Sequence, residues 1–423
     1  MTYPDSVRFL YSLGNEIKTA KFDLARITRL LEALGSPHQA GRFVHVAGTN
    51  GKGSTCAMIE SGLRAAGLRT GLYTSPHLLE PVERICIAGQ PVTPAQFSTA
   101  FDRVHGAAEQ LLAAGVLDLH PTYFETVTAM AFWLFRDMEV EFAVLEVGLG
   151  GRLDATNVVL PRVAVITRVD FDHEAFLGKS LEEIALEKAG ILKTGVPAVF
   201  APQRPEVEEV LGGRAAALGS RVTRAAEFPV TGLSVDRWGS RFTAAGLNLE
   251  CPLAGEHQVE NALTAALALQ ILDIPGPAIE EGIRRARWPG RLQRVSERPE
   301  IILDGAHNPS GARALARYIE RFYADRKVTL IFGAMRDKAV AEISAILFPL
   351  AGEVVATAPR QPRAVRPETI CRLADHPHLR FAASLPDALA ILDNPDVVFI
   401  TGSLFLVAEA IEALSPSPVA PGP

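Results

Sequence analysis

Short, uninterrupted runs of β-branched, aromatic and other apolar residues recur along the chain, at 43–47, 142–147, 163–167, 301–303, 328–333 and 397–401. Helix-length amphipathic stretches separate them. A strand that is apolar at nearly every position, rather than at alternate ones, needs cover on both faces, and a parallel sheet flanked by helices supplies it. The expected fold class is therefore α/β, with functional residues gathered at the carboxyl ends of strands. At 423 residues the chain exceeds what one core ordinarily organises, so two domains are expected. Trp288-Pro289-Gly290 and Glu297-Arg298-Pro299 bracket a polar stretch, which places a larger domain at 1–295 and a smaller α/β domain at 296–423. Residues 213–252 are less regular, and alternation such as Arg241-Phe242-Thr243 points to a small antiparallel patch on the larger domain. The tail from Ser415, with prolines at 416, 418, 421 and 423, is expected to fray.

Charge narrows the partners. Lys plus Arg number 42 against 48 Asp plus Glu, a net charge of −6 that gives no electrostatic reason to expect nucleic acid. An anionic substrate would be held by local Arg and Lys groups. The cysteines Cys56, Cys86, Cys251 and Cys371 form no CxxC clip and read as small core hydrophobes in a reducing compartment. The first residues lack the apolar stretch of a signal peptide, and no run of about 18 apolar residues exists to span a membrane. A cytoplasmic enzyme is expected.

The strand run at 43–47 leads into Gly48-Thr49-Asn50-Gly51-Lys52-Gly53-Ser54-Thr55, followed by a helix expected to begin near Ser54. Glycines let backbone N–H groups approach phosphate oxygens, and the helix N-terminus adds partial positive charge. Lys52 can reach terminal phosphates, and Ser54 or Thr55 can ligate Mg²⁺. The common spacing places the hydroxyl residue directly after lysine; here Gly53 intervenes. A glycine turn without ligand is the plain alternative, but lysine and serine after a strand favour a nucleoside triphosphate.

Glu146 stands inside the apolar run at 142–147, where a carboxylate is costly unless a cation or hydrogen bonds compensate it, which makes it a candidate Mg²⁺ ligand. His173 follows the 163–167 run; a structural histidine and a ligand are equally compatible with its position. Ser180 and Glu183 form a capping box that starts a helix at Leu181. Leu181, Ile184, Lys188 and Ile191 then share one face, putting a lysine on the apolar stripe. Such a lysine either snorkels to the surface or stays buried as a neutral amine, able to take up carbon dioxide as a carbamate.

In order along residues 20–405, Gly48-Thr49-Asn50-Gly51-Lys52-Gly53-Ser54, Tyr73-Thr74-Ser75-Pro76-His77, Thr122-Tyr123-Phe124-Glu125, Glu146-Val147-Gly148-Leu149-Gly150-Gly151-Arg152-Leu153-Asp154-Ala155, Asp172-His173, Glu187-Lys188-Ala189-Gly190, His257-Gln258-Val259-Glu260-Asn261, Pro289-Gly290-Arg291 and Asp304-Gly305-Ala306-His307-Asn308-Pro309 occur. The set resembles the Mur ligase superfamily, and within it the folylpolyglutamate synthase/dihydrofolate synthase family. The resemblance implies a P-loop Mur-ligase-like ATPase domain, a smaller Rossmann-like α/β C-terminal domain, and a monomer. It implies that Asn50, Gly51, Lys52, Gly53 and Ser54 hold ATP phosphates, with Asn261, Arg291 and Asp304 on the nucleotide and His307 near the phosphates. Ser75, Glu146 and His173 would ligate Mg²⁺, and Lys188 would be carbamylated; Lys52, His173 and Lys188 would serve the chemistry. Thr122, Tyr123, Phe124, Glu125, Leu153, Asp154 and Ala155 would line the pterin-bearing substrate, and Ser403 would lie near the glutamate end. Arg168 and Asp170 depart from the family pattern before Asp172-His173, and Pro121 precedes the Thr122 segment.

The implied reaction is ATP-dependent joining of L-glutamate to dihydropteroate, or to the glutamate chain of a reduced folate, through an acyl phosphate. Two other outcomes are weighed beside it. A ligase of UDP-muramyl peptides ordinarily carries a preceding UDP-binding domain, for which a phosphate loop at residue 48 leaves little room. A nucleotide-dependent switch of the GTPase kind would show an N-K-x-D motif, and none occurs.

Overall fold

The computed structural model describes residues 1–13 and 24–414, so the tail expected to fray lies outside the described residues. The first sheet contains β1 (Arg42–Ala47), β2 (Thr70–Tyr73), β3 (Ile85–Ile87), β4 (Gln90–Pro91), β5 (Phe142–Glu146), β6 (Val163–Ile166), β7 (Ala198–Phe200) and β8 (Val222–Arg224). Their order is β4-β3-β2-β5-β1-β6-β7-β8, parallel from β2 through β8, with β3 and β4 antiparallel at one edge. The strands at its centre are buried at every position from Phe43 onward. Their continuous apolar character follows from cover on both faces. One face packs Val44, Val46, Val144 and Val165 against Met58, Ile59, Leu263 and Leu267. On the other, Phe43 and Leu145 meet Phe101 and Phe132.

The irregular stretch does contain an antiparallel patch: β9 (Thr231–Val235), β10 (Ser240–Ala244) and β11 (Leu247–Cys251). Phe242, Leu247 and Leu249 join the same core as β1. The third sheet holds β12 (Gln293–Glu297), β13 (Glu300–Leu303), β14 (Val328–Phe332), β15 (Glu353–Ala356), β16 (Leu379–Phe381) and β17 (Val397–Thr401). Its order is β12-β13-β17-β14-β15-β16, parallel except for β12.

The boundary expected at 295/296 cuts through β12, which pairs with β13 as a hairpin. Glu297-Arg298-Pro299 is thus a hairpin turn rather than an interdomain break; proline and charged residues suit either place. Residues 286–292 connect the helix Gly276–Arg285 to β12. All four cysteines are free thiols, and no helix of the described residues is long and apolar enough to cross a membrane.

Candidate functional site

Four adjacent strands of the large lobe deliver their carboxyl ends to one crevice. The register pairs Val46 with Glu146 and Ala47 with Ile166, so the ends of β5, β1 and β6 lie level. From these ends come the 48–54 loop after β1, Ser75 after β2, Glu146 closing β5, and the Asp170–His173 segment after β6. The neighbouring strands β13, β17 and β14 of the small lobe supply Asp304, Leu404 and the loop bearing Lys338 in the same way. A cavity of ≈ 680 Å³ between the lobes is lined by Gly48 to Ser54, Ser75, Glu146, His173, Lys188, Asn261, Arg291, Asp304 and His307.

The phosphate loop is built around Gly51, which caps the Lys52–Ala65 helix at φ 85°, a left-handed conformation that glycine adopts without strain. A Cβ there would collide with the Asn261 amide. The helix therefore starts at Lys52, two residues before the expected Ser54, because the turn is completed at Gly51. Thr49 and Asn50 both donate their amides to the Arg168 carbonyl, at 2.9 and 3.2 Å. Lys52 Nζ donates to the carbonyls of Gly48 and Thr49, each at 3.1 Å. Among the described residues no carboxylate forms an ion pair with Lys52 or Arg291, which leaves both cations open to an anion in the cavity.

Glu146 is buried, and its Oε2 accepts the Ser75 amide at 3.0 Å. Burial raises its carboxyl above the usual range, against the charge of Lys52. His173 sits in the left-handed region at the start of a short helix, its Nε2 3.4 Å from Lys338 Nζ and 3.8 Å from Asp172 Oδ1. Burial, aided by Lys338 and Lys52, pushes its imidazole down to about 4, so the ring is neutral near pH 7 and able to bind a metal.

Lys188 lies on the helix Leu181–Ala189, whose Ser180–Glu183 capping box is formed. It does not snorkel: it is 4% exposed, and its Nζ donates to the Gly48 carbonyl at 2.9 Å. Burial, then the charge of Lys52, pushes its amine down to about 7. The two lysines thus meet at one carbonyl oxygen of the phosphate loop.

The other expected residues stand outside the cavity wall. Thr122 and Glu125 form the capping box of the Tyr123–Asp137 helix, and Glu125 also pairs with Arg26 at 2.8 Å. Phe124 packs against the Gly148 backbone. Asp154 accepts the amides of Gly148 and Leu149, at 2.9 and 3.0 Å, propping up the turn that follows Glu146. Leu153 is half-buried and Ala155 buried beside it. Ser403 is buried and accepts the Phe405 amide at 3.1 Å; its neighbour Leu404 reaches the cavity.

The two departures are internally compensated. Arg168 pairs with Glu260 at 3.6 Å, and the buried Asp170 with Arg204 at 3.5 Å, so neither adds an uncompensated charge. Thr49 and Asp170 also exchange hydrogen bonds at 2.8 and 3.0 Å, fastening the loop to β6.

Contacts across the lobes involve residues to which the sequence assigned no role. Asn308 bonds Asn50 and Asp172, its amide donating to each at 3.0 Å. Lys338 reaches Asp172 at 2.6 Å, with both side chains under 10% exposed. Burial of Asp172 would raise its carboxyl, but hydrogen bonding from His307 and the charge of Lys338 outweigh it and hold the group far below the usual range. The signal for Lys338 was its position after the 328–333 run, at the carboxyl end of a strand.

Residues 46–269 match the Mur ligase middle domain, and residues 290–404 the Mur ligase glutamate ligase domain. The chain is 36% identical to folylpolyglutamate synthase of Lacticaseibacillus casei, over 98% of this chain and 99% of that one. It is 34% identical to dihydrofolate synthase/folylpolyglutamate synthase of Escherichia coli, over 94% of this chain and 92% of the relative. The solved structure of Mycobacterium tuberculosis folylpolyglutamate synthase complexed with ADP and AMPPCP superposes with a TM-score of 0.91 at 33% identity, covering 98% of this chain and 100% of the other. The Escherichia coli protein in complex with DHPP and ADP superposes at 0.86, with 33% identity and coverage of 98% and 97%. The chain belongs to the folylpolyglutamate synthase/dihydrofolate synthase family of the Mur ligases.

Proposed function

We propose that this chain is an ATP-dependent acid–amino-acid ligase that joins the amino group of L-glutamate to the carboxylate of dihydropteroate or of a reduced folate. The observation that carries this is the cavity between the lobes. There a phosphate loop, two cations without carboxylate partners and the end of a buried carboxylate strand face one space.

A carboxylate is a poor acyl donor because its oxygen leaves badly. Attack of the substrate carboxylate on the γ-phosphorus releases ADP and forms an acyl phosphate. The glutamate amine then attacks the acyl carbon, and phosphate leaves. Lys52, Arg291 and the N-terminus of the Lys52–Ala65 helix are suited to the charge that builds on the phosphoryl oxygens. Asn50, Gly51, Gly53 and Ser54 would cradle the phosphates, and Asn261, Asp304 and His307 would hold the rest of the nucleotide.

Ser75, Glu146 and His173 offer a hydroxyl, a desolvated carboxylate and a neutral imidazole. The hydroxyl and the carboxylate suit Mg²⁺, with the imidazole as a softer third donor, and a positive charge there would relieve the burial of Glu146. Mg²⁺ bound by these residues would supply charge neutralisation at the phosphates. Lys188, half-deprotonated near pH 7, is suited to add carbon dioxide and become an anion facing the same space. Tyr123 and Phe124, with Leu153 to Ala155, would meet the pterin end, and Ser403 the glutamate end. The Asn308 and Lys338 contacts would keep water from the acyl phosphate.

Two assays test this. With enzyme, ATP and dihydropteroate, hydroxylamine should trap a hydroxamate; its absence under turnover would exclude the acyl phosphate. Mass spectrometry of products from dihydropteroate and from a reduced folate, each with labelled glutamate, should show a one-glutamate mass gain. No gain with either acceptor would overturn the assignment.

A further inference from the structure

Away from the cleft, His105, Glu109 and His120 bring three ligand atoms within 4.8 Å of one another. His105 and Glu109 are one turn apart on the Pro94–Ala113 helix, and His120 stands in the segment leading to the Tyr123–Asp137 helix. His105 Nδ1 lies 3.3 Å from His120 Nε2 and 3.8 Å from Glu109 Oε1.

The tautomer of His120 leaves a lone pair directed into the trio. His120 Nδ1 faces the Pro121 carbonyl at 2.8 Å. A carbonyl only accepts, so the ring carries its proton on Nδ1 and presents a bare lone pair at Nε2. The single proton available at His105 Nδ1 serves His120 Nε2, while the Glu109 carboxylate, 3.8 Å away and 56% exposed, takes its donors from water and is free to turn inward. A divalent cation satisfies all three. Metal-bound histidines ordinarily carry such a second-nitrogen bond to a carbonyl.

The spacing agrees. Tetrahedral zinc with Zn–N of about 2.0–2.1 Å sets its ligand atoms roughly 3.3–3.4 Å apart. The His–His edge already has that length, and Glu109 is exposed and long enough to close the other. The rings are held in place by aromatic neighbours: His105 stacks on Phe101 at 5.3 Å and meets Phe9 at 4.5 Å, while His120 meets Phe9 at 5.4 Å.

We propose that His105, Glu109 and His120 form a binding site for a divalent transition metal of the zinc class. The bound ion fastens the 114–121 loop to the Pro94–Ala113 helix. Two imidazoles and one carboxylate select Zn²⁺, Co²⁺ or Ni²⁺ over Mg²⁺ or Ca²⁺, and the fourth position opens to solvent. Because Pro121 adjoins Thr122, which caps the next helix, the ion governs how firmly that helix start is held. The site is independent of the ligase assignment.

The test uses the full-length chain, stripped with chelator and free of nucleotide, titrated with Co²⁺ while the visible d–d absorption is followed. One equivalent should give a tetrahedral-type band that Zn²⁺ abolishes. His105→Gln and His120→Ala should each weaken binding by at least about tenfold. Glu146→Gln should leave the band intact. Absence of the band, its persistence in both histidine variants, or its loss in Glu146→Gln would overturn the site. Zn²⁺ should also slow amide hydrogen exchange across 115–120 in the parent chain and raise its melting temperature, but do neither in the His105→Gln/His120→Ala double variant. Unchanged exchange in the parent chain would overturn the fastening role.

Discussion

Lys188 in the large lobe and Lys338 in the small lobe both hold their side chains out of solvent beside the same cleft; Lys188 is buried as a residue, whereas Lys338 is half-buried with only its side chain covered. Their partners differ. Lys188 donates to the Gly48 carbonyl and sits in the field of another cation, Lys52. Lys338 rests on the Asp172 carboxylate at 2.6 Å. Where burial and a neighbouring cation outweigh the more distant Asp172 and Asp154, the amine is easy to deprotonate and hence available for chemistry; burial in direct contact with a carboxylate makes a clasp between lobes. One wall of the cleft holds desolvated groups in readiness, and the other closes over them.

The comparison breaks most visibly if Lys188 is chemically idle. Lys188→Ala should lower ligase turnover by about 10²–10³-fold, the loss typical of removing one electrostatic group from a preorganised site. Short carboxylates should restore part of it. Full turnover without rescue would reduce Lys188 to packing. Next in size, Lys338→Met should cost about 3 kcal/mol in urea unfolding, because it leaves Asp172 buried without its cation. Lys338→Met/Asp172→Asn should regain part of that, whereas strictly additive losses would show that the pair does not act as a clasp.

A third prediction concerns pH. The folded amine of Lys188 releases its proton at about 7, against an ordinary lysine value of 10.5. Between those values the unfolded chain holds a proton that the folded chain has released. Stability from this group therefore rises with pH across that window, by at most about 1.4 kcal/mol per unit. In bicarbonate-free buffer, Lys188→Met should flatten this rise; an unchanged slope would refute a depressed amine. Smallest, Ser180→Ala removes the cap of the lysine's helix and should cost about 1 kcal/mol of stability with turnover retained. A loss of turnover as large as that of Lys188→Ala would mean that positioning, not the amine, is limiting.

Much of the large-lobe wall was legible in the residues. Apolar runs announced strands covered on both faces, the glycine-lysine loop announced its turn, and the spacing from Leu181 to Ile191 put Lys188 on the apolar stripe of its helix, with burial and snorkelling both open. Those signals are local: each lies within one helix or one strand and its following loop. The clasp was not legible, because Asp172, Asn308 and Lys338 are far apart in sequence and nothing in the chain specifies which strand ends of the two sheets face each other. The hairpin that spans the expected junction was not legible for a related reason. Arg298-Pro299 marks a turn, and only the pairing of β12 with β13 shows that the turn closes a hairpin. The His105–His120 contact likewise depends on how a loop folds back over a helix.

The added glycine of the phosphate loop has one more consequence. A Cβ on Gly53 would come within 2.6 Å of the Trp288 ring, so the segment joining the lobes lies directly on the first turn of the loop's helix. Trp288 is therefore a native optical reporter: its fluorescence should change when a triphosphate enters, letting nucleotide occupancy be timed by stopped-flow without attaching a dye.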